Sequence, residues 1–316
     1  MDNALIEAAR SGRPPAYWRI ALYFLVAFGL PFMLSTFVGT TAMVAYLFLG
    51  GPATAQDVLD LATSDLFLFS VGGIFVVGTI VVTALWVVLI DQRPLTSIGL
   101  RTRRPAWEWL RGMLVGAGLM GLAVGLMAAF GTIQAGGSLL ENPARLLGVA
   151  GALFFFLIQG PAEEIVFRGY LLPVLGARGN LTLGIVVSSA LFGLAHILNP
   201  SFGLLPLINI VLAGVLFALY ALVEEGLWGA FGLHSAWNWV QGNVLGMAVS
   251  GGFFGPSVFT LREAGPDWLT GGTFGPEGGV VVTGLLVLAS GWLGWLLWRK
   301  ERAKSRPGAA PDPEEA

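Results

Sequence analysis

The stretch that decides the fold covers residues 66–90, LFLFSVGGIFVVGTIVVTALWVVLI, and contains no charged side chain. It is longer than the roughly 20 apolar residues that a helix needs to cross the hydrocarbon core of a bilayer. A strand of an outer-membrane barrel would instead alternate apolar and polar residues. The stretch therefore predicts a membrane-spanning helix.

The composition of the whole chain agrees with this prediction. Of its 316 residues, 55% are hydrophobic and 11% are charged, and the mean hydropathy is +0.77. Soluble domains carry about 25% charged residues, so a soluble globule and a disordered chain are excluded. The net charge of −2 gives no indication of a nucleic-acid partner. Because the chain has no cysteine, disulfides, thiolate metal ligands and a cysteine nucleophile are excluded as well.

Further apolar stretches predict an all-α, polytopic membrane protein with about eight transmembrane helices that enclose an intramembrane cavity. The spans are expected at residues 20–49, 66–90, 110–133, 145–160 with an extension, 181–198, 202–223, 227–249 and 280–298. With a cytoplasmic N-terminus, 15 of the 17 Lys and Arg residues face the cytoplasm, and only Arg145 and Arg262 lie outside. The positive-inside rule thus predicts a multi-pass protein of the cell (inner) membrane with both termini cytoplasmic.

The chain divides accordingly into five segments. Residues 1–19 form a cytoplasmic N-terminal segment, 20–144 hold three spans, and 145–250 form a helical core. Residues 251–279 form an outer loop, either re-entrant or a surface lid, and 280–316 hold the last span and a disordered cytoplasmic tail.

The polar residues inside the predicted spans are the candidates for function, because an ionisable group at bilayer depth costs several kcal/mol. They fall in three motifs: GPAEEIVFRGYLLP at 160–173 with Glu163, Glu164 and Arg168; LFGLAHILNP at 191–200 with His196; and LHSAWNWVQGN at 233–243 with His234 and Asn238.

The spacing within the first motif separates its two carboxylates. Glu164 and Arg168 are four residues apart, so on a helix they can form an ion pair. Glu163 is turned by about 100° from its neighbour and is left available for chemistry. The alternative interpretation makes both glutamates part of a solvated helix cap.

The two histidines can meet the first motif at a similar depth. A turn at 176–180 makes a hairpin in which Glu163 lies 15 residues before Arg178 and His196 lies 18 residues after it. At about 1.5 Å per residue these depths differ by about 4.5 Å, so the two side chains can face each other. His234 and Asn238 share a helix face, although such pairs also serve as interhelical contacts. We expect a water-filled site in the cytoplasmic half of the membrane.

No serine-nucleophile, paired-aspartate or HExxH motif occurs, and the remaining carboxylates, imidazoles and carboxamide suit hydrolysis by activated water. Glu163 would be the general base, assisted by His196, and His234 with Asn238 would stabilise the oxyanion. The same side chains, Glu163, His196 and His234, would also serve as ligands of a zinc ion with an open position for water. The sequence leaves both versions open.

The three motifs resemble, in order and separation, those of the CAAX-protease and bacteriocin-processing family of intramembrane endopeptidases, which includes the type II CAAX prenyl endopeptidases. The resemblance covers residues 146–249 and rests on Glu163-Glu164-xxx-Arg168, Phe192-xxx-His196 and His234-xxx-Asn238. It implies an all-helical intramembrane protease with a conical cavity open to the cytosol and a lateral gap.

By motif position, the resemblance makes Glu163 and His196 the residues that activate the water, and His234 and Asn238 the oxyanion site. Glu164, Arg168 and Phe192 would support them; Phe192 alone would be read as a packing residue. The family is described both as metalloproteases and as metal-free glutamate proteases, and the second mechanism is our expectation here.

The expected partners are a membrane-associated protein or peptide substrate, lipidated or not, and the bilayer, with no nucleic acid. Two other function classes remain as alternatives. A proton-coupled transporter would show pH-dependent flux, and a non-catalytic immunity scaffold would keep its phenotype when the candidate residues are changed to alanine.

Overall fold

The structure is a computed structural model that describes residues 3–11, 15–49, 51, 54–62, 64–138 and 145–304. The predicted disordered tail at 307–316 lies outside the described residues. The described helices are α1 (Ala4–Arg10), α2 (Tyr17–Phe48), α3 (Ala55–Ala62), α4 (Asp65–Leu85), α5 (Pro105–Ala129), α6 (Leu146–Glu164), α7 (Leu172–Arg178), α8 (Leu181–Ala195), α9 (Leu204–Glu224), α10 (Trp228–Trp239), α11 (Asp267–Thr270) and α12 (Val280–Lys304).

Three of these helices are extended by wider π-helical turns. The turns run over Trp86–Ile90 after α4, Ile165–Leu171 between α6 and α7, and Val240–Val244 after α10. The second turn joins α6 and α7 into one helical rod from Leu146 to Arg178. π-turns inside helices are rare and often occur at functional sites, and this one follows directly after the predicted carboxylates.

The predicted all-helical membrane architecture is confirmed. In the described part of the chain, six helices are long and apolar enough to cross a membrane: Tyr17–Phe48, Leu66–Ile90, Pro105–Ala129, Leu146–Arg178, Leu204–Glu224 and Val280–Lys304. The apolar helix α8 is shorter, and α10 has 12 residues before its π-turn. The count of eight spans therefore stays a prediction.

The outer loop predicted at 251–279 is more ordered than the sequence suggested. Strand β1 (Ile133–Ser138) pairs antiparallel with strand β2 (Phe259–Glu263), with Ile133 opposite Glu263 and an irregularity between Ala135 and Ser138. The third predicted span is therefore wrong at its end, since α5 stops at Ala129 and residue 133 begins a strand.

Helices α5 and α10 are in very close contact because glycines line both sides of their interface. A Cβ atom added at Gly112 would lie 1.9 Å from the carbonyl oxygen of Gly229, and one at Gly116 would lie 2.2 Å from that of Leu233. On the facing helix, a Cβ at Gly232 would lie 2.0 Å from the carbonyl oxygen of Trp109. Small residues that let helix backbones approach are typical of membrane interfaces. This contact fixes the depth and rotation of α10.

The ends of the helices form two faces with different charge. We call the basic face the end at which Arg19 pairs with Asp91, Arg111 with Glu224, and Lys300 and Lys304 with Glu225. It gathers the N-terminal ends of α2, α5 and α10 and the C-terminal ends of α7, α9 and α12. The opposite face carries the β1–β2 pair, the C-terminal end of α8 and the N-terminal ends of α9 and α12.

Candidate functional site

All four predicted catalytic residues line one cavity. The cavity has a volume of about 350 Å³, and its wall includes Glu163, His196, His234 and Asn238 together with Phe192. Its walls come from α2 and α4 on one side and from α6, α8, α9, α10 and α12 on the others. The three motifs therefore lie around one cavity, as their order and spacing predicted.

The two neighbouring glutamates point in different directions, as their spacing predicted. The Glu164 side chain is fully buried behind the cavity wall, whereas that of Glu163 is 20% exposed and lines the cavity. Arg168 Nη1 donates a hydrogen bond of 3.0 Å to Glu164 Oε1, which confirms the predicted pair. The alternative of two glutamates in a solvated cap is therefore wrong.

Arg168 is held by several groups besides this carboxylate. Its Nη2 donates to the carbonyl oxygen of Gly214 at 3.0 Å. Its guanidinium carbon lies 4.4 Å from the ring centre of Phe192 and 5.2 Å from that of Phe217. Arginine stacks well on aromatic faces and is less strongly hydrated than lysine, which suits a fully buried position. Phe192 thus packs against the support of the site as well as lining the cavity.

Glu164 also binds one of the two candidate histidines. His234 Nδ1 lies 2.8 Å from Glu164 Oε1, so the ring donates an N–H···O hydrogen bond to the carboxylate through this nitrogen. The other ring nitrogen, Nε2, is 3.8 Å from Glu163 Oε2. Glu164 therefore fixes the imidazole so that its Nε2 faces the cavity carboxylate, which is the usual role of a carboxylate behind a functional histidine.

Glu163 is oriented by a residue that the sequence interpretation missed. Gln159 Nε2 donates to Glu163 Oε1 at 2.6 Å, and Gln159 Oε1 accepts from Asn238 Nδ2 at 3.0 Å. Glu163 Oε2 has no hydrogen-bond partner within the described part of the chain. One carboxylate oxygen is thus held in place, while the other is buried next to His234 without a hydrogen-bond partner in the described part of the chain.

His196 ends α8 and has its ring orientation fixed by the backbone. Its Nδ1 lies 2.8 Å from the carbonyl oxygen of Phe192, which can only accept, so Nδ1 carries the proton. In the neutral ring Nε2 is then an acceptor. The Phe192 ring contacts both imidazoles, with ring centres 4.9 Å from that of His196 and 6.0 Å from that of His234.

A second carboxylate in the cavity wall, Glu277, was not predicted. Its Oε1 accepts from Trp237 Nε1 at 3.0 Å, and its Oε2 accepts from the backbone N–H and the hydroxyl of Ser250 at 2.7 and 2.8 Å. Its backbone carbonyl accepts from Asn209 Nδ2 at 2.7 Å. Since both oxygens are engaged, Glu277 joins α10, the loop at 249–254 and α9 across the end of the cavity.

The zinc alternative does not match the arrangement of the side chains. Among the residues that the structure describes, no three histidine, aspartate or glutamate side chains are placed to hold one metal ion. The predicted ligand set of Glu163, His196 and His234 is not among the described residues as a ready-made metal cluster. Each histidine has a protein partner at Nδ1, namely Glu164 for His234 and the carbonyl oxygen of Phe192 for His196.

The cavity extends from His234, six residues after the start of α10 at the basic face, to the opposite face, where Asn199, Pro200, Ser250, Gly252 and Glu277 contribute to its wall. The expected position in the cytoplasmic half of the membrane stays a prediction. The comparison of residue depths along the predicted hairpin correctly placed Glu163 and His196 at one cavity. It did not show toward which end of the helices the cavity extends.

Comparison with known proteins agrees with the three motifs. Residues 145–240 match the model of a family described as type II CAAX prenyl endopeptidase Rce1-like, and all four candidate catalytic residues lie within the match. The chain is also 26% identical over 314 residues to the uncharacterized protein YyaK of Bacillus subtilis (strain 168), an alignment that covers 92% of this chain and 94% of that protein.

No solved structure matches the chain. The family match and the six apolar helices support one conclusion about class. The chain is an integral membrane protein, and its residues 145–240 are similar to the CAAX-type intramembrane protease domain of the Rce1-like family.

Proposed function

We propose that this protein is a metal-free endopeptidase that hydrolyses a peptide bond of a membrane-associated protein or peptide with a water activated by Glu163. The observation that carries the proposal is the approach of Glu163 Oε2 to His234 Nε2 at 3.8 Å inside the cavity. This distance is too long for a direct hydrogen bond but allows one small polar group to contact both atoms. The unpartnered Oε2 is the proton acceptor.

The charges around the pair support this division of roles. Arg168 and His234 both contact Glu164, and His234 Nε2 also faces Glu163, so a proton on each nitrogen of His234 would balance the second carboxylate. In that state His234 donates from Nδ1 to Glu164 and from Nε2 to an oxyanion in the cavity. Asn238 has a second amide N–H besides the one bound to Gln159, and this N–H is the other oxyanion donor.

The reaction then proceeds in two proton transfers. Glu163 takes a proton from water while the resulting hydroxide attacks the carbonyl carbon, and the oxyanion is stabilised by His234 and Asn238. When the carbon–nitrogen bond breaks, the protonated Glu163 returns the proton to the leaving amine. His196 Nε2, an acceptor in the same cavity, assists in holding the water. The products are a carboxylic acid and an amine, and transfer of the acid's proton gives the carboxylate and the ammonium ion.

The cellular setting is part of the same proposal. The concentration of Lys and Arg on one face supports an orientation in the cell membrane with that face, and both termini, in the cytoplasm. The partners are the bilayer and a protein or peptide anchored in it, and the apolar wall of the cavity is suited to such a substrate.

A proteomic comparison tests the activity without knowledge of the substrate. New protein termini in membrane fractions are identified by mass spectrometry from cells that express the wild type, Glu163→Gln, His196→Ala or His234→Ala. A matched control is Glu7→Gln, since Glu7 forms an exposed ion pair with Arg10. The proposal predicts termini that appear with the wild type and the control and disappear in the three variants, each of which is checked for folding by size-exclusion chromatography. Termini that persist in Glu163→Gln contradict it.

A further inference from the structure

The titratable side chains of the cavity wall are two carboxylates and two imidazoles. Within the described part of the chain, no lysine or arginine lines the cavity. The carboxylate of Glu163 faces His234 Nε2 at 3.8 Å and belongs to the proposed catalytic pair. The other carboxylate is that of Glu277, which the proposed mechanism does not use. It is therefore an acidic group in the cavity without an assigned role.

Glu277 is surrounded by neutral hydrogen-bond donors. Its Oε1 accepts from Trp237 Nε1, and its Oε2 accepts from the backbone N–H and the hydroxyl of Ser250. Among the described residues, these are the contacts of its carboxylate, and none of them is with a cation. Charges removed from water are normally paired, and opposite charges attract more strongly in apolar surroundings than in water. The Glu277 carboxylate therefore favours the binding of a positive group.

One acceptor position of this carboxylate remains free. An ionised carboxylate has about four acceptor positions. At Glu277, two donors occupy Oε2 and one donor occupies Oε1, so a further donor can bind to Oε1. This oxygen lies beside the indole ring of Trp237, which also lines the cavity. Because an aromatic ring attracts cations, this position suits an ammonium or guanidinium group.

Two helices hold the backbone of Glu277 in place. The carbonyl oxygens of Glu277 and Gly279 both accept from Asn209 Nδ2, at 2.7 and 2.9 Å. Asn209 is a buried residue of α9, and its Oδ1 accepts from the hydroxyl of Thr283 on α12 at 2.7 Å. A binding group that is fixed in this way loses little freedom when a ligand arrives, which favours specific binding.

Trp237 relates Glu277 to the catalytic residues. It follows His234 by three positions on α10 and precedes Asn238 directly. At about 1.5 Å per residue, its backbone lies about 4.5 Å from that of His234 along the helix. An extended peptide covers about 3.3 Å per residue. A cation bound at Glu277 Oε1 therefore belongs to a residue a few positions from the peptide bond that is cleaved.

We infer that Glu277 is a specificity-determining residue that binds a cationic side chain of the substrate. Resting on the proposed function, this assignment makes the substrate a membrane-associated protein or peptide with a lysine or arginine a few residues from the scissile bond. The ammonium or guanidinium group donates to Glu277 Oε1 and supplies the positive charge that the cavity wall lacks.

A small cation with an apolar tail tests the site without proteolysis. The probe is tritiated octylguanidinium, and its binding to the purified protein in nanodiscs is measured by scintillation proximity. Neutral octylurea, with the same tail, is the competitor. We expect saturable binding to the wild type, competition by octylurea that is at least about tenfold weaker than that by unlabelled octylguanidinium, and a Kd at least about tenfold higher in Glu277→Gln. Trp237→Phe keeps the charge and an aromatic ring and should bind the probe as the wild type does.

Three results would overturn the assignment. Equal competition by octylurea in the wild type is the first, and this measurement requires no variant. The second is a loss of binding in Glu163→Gln with none in Glu277→Gln, since the cation would then bind at the catalytic carboxylate. The third is an equal loss in Trp237→Phe and Glu277→Gln, which would mean that Glu277 only supports the fold. The matched control is Glu7→Gln, whose exposed ion pair is with Arg10.

The cleavage sites provide a second readout. In the proteomic comparison, lysine or arginine should be enriched near the termini that depend on the wild type, and Glu277→Gln should lose this preference. Termini that depend on the wild type but lack the enrichment would overturn the specificity role alone. Binding of octylguanidinium without any such termini would overturn the proposed function and leave Glu277 as a cation site.

Discussion

Replacing Glu164 by glutamine separates the support of the site from its chemistry. The Glu164 carboxylate is fully buried and accepts hydrogen bonds from both Arg168 and His234 through the same oxygen. Glutamine keeps the shape but removes the charge, and it leaves the fully buried guanidinium of Arg168 without a counter-ion. Removing one partner of a buried ion pair typically costs about 3–5 kcal/mol. We expect a loss of free energy of unfolding of this size.

The assay is SDS-induced unfolding of the purified protein in mixed micelles. In the double variant Glu164→Gln/Arg168→Met, an apolar side chain of similar length takes the place of the unpaired guanidinium. This variant should recover most of the lost stability. It should remain inactive, because His234 still lacks the ionised acceptor at Nδ1. The matched control is Glu7→Gln, whose exposed pair with Arg10 is expected to contribute less than about 1 kcal/mol.

Two outcomes would refute this reasoning. A loss below about 1 kcal/mol in Glu164→Gln would mean that the pair is solvated rather than buried. A double variant no more stable than the single one would mean that Arg168 does not need the carboxylate.

Three further predictions, one of them with a matched control variant, test other parts of the structure. Gln159→Leu removes the amide that orients the catalytic carboxylate, and kcat should fall about tenfold or more with KM unchanged; an unchanged kcat would remove Gln159 from the mechanism. Gly116→Ala places a Cβ 2.2 Å from the carbonyl oxygen of Leu233 and should cost about 1–3 kcal/mol in SDS unfolding. Gly118→Ala, with nothing within 4 Å, should cost nothing, and equal losses would contradict the close helix contact. Burial raises the pKa of Glu263 from 4.5 to about 7. Between these values the folded state keeps a proton that the unfolded chain releases. The free energy of unfolding should therefore fall as the pH rises from about 4.5 to about 7. Glu263→Gln should flatten this dependence of Tm on pH. A wild-type Tm that rises over the same pH range would contradict the prediction.

The sequence predicted what is local in the chain. Membrane helices followed from apolar length, and the Glu164–Arg168 pair followed from a four-residue spacing on one helix. The bond between His234 and Glu164 was not predicted, because the two residues are 70 positions apart and many pairings of buried polar groups satisfy the same motif. Gln159 gave no signal, since an amide on an apolar helix has no distinctive spacing.

The opening of the cavity could not be predicted for a different physical reason. It depends on where packed helices separate, which is decided by contacts such as Gly116 against Leu233 rather than by the composition of any one helix. Glu277 illustrates the same limit. Its loop looked like a surface segment, and only the fold brings its carboxylate to Trp237 and Ser250.

The central claim is that the Glu163 carboxylate activates water next to His234. It is tested most directly by single-turnover cleavage of a peptide identified by the proteomic comparison, with purified wild type and Glu163→Gln in proteoliposomes. General-base assistance contributes about 10²–10⁴ in rate, so the variant should lose about that factor while binding the peptide with an unchanged Kd. A Glu163→Gln rate within tenfold of the wild type would contradict the account.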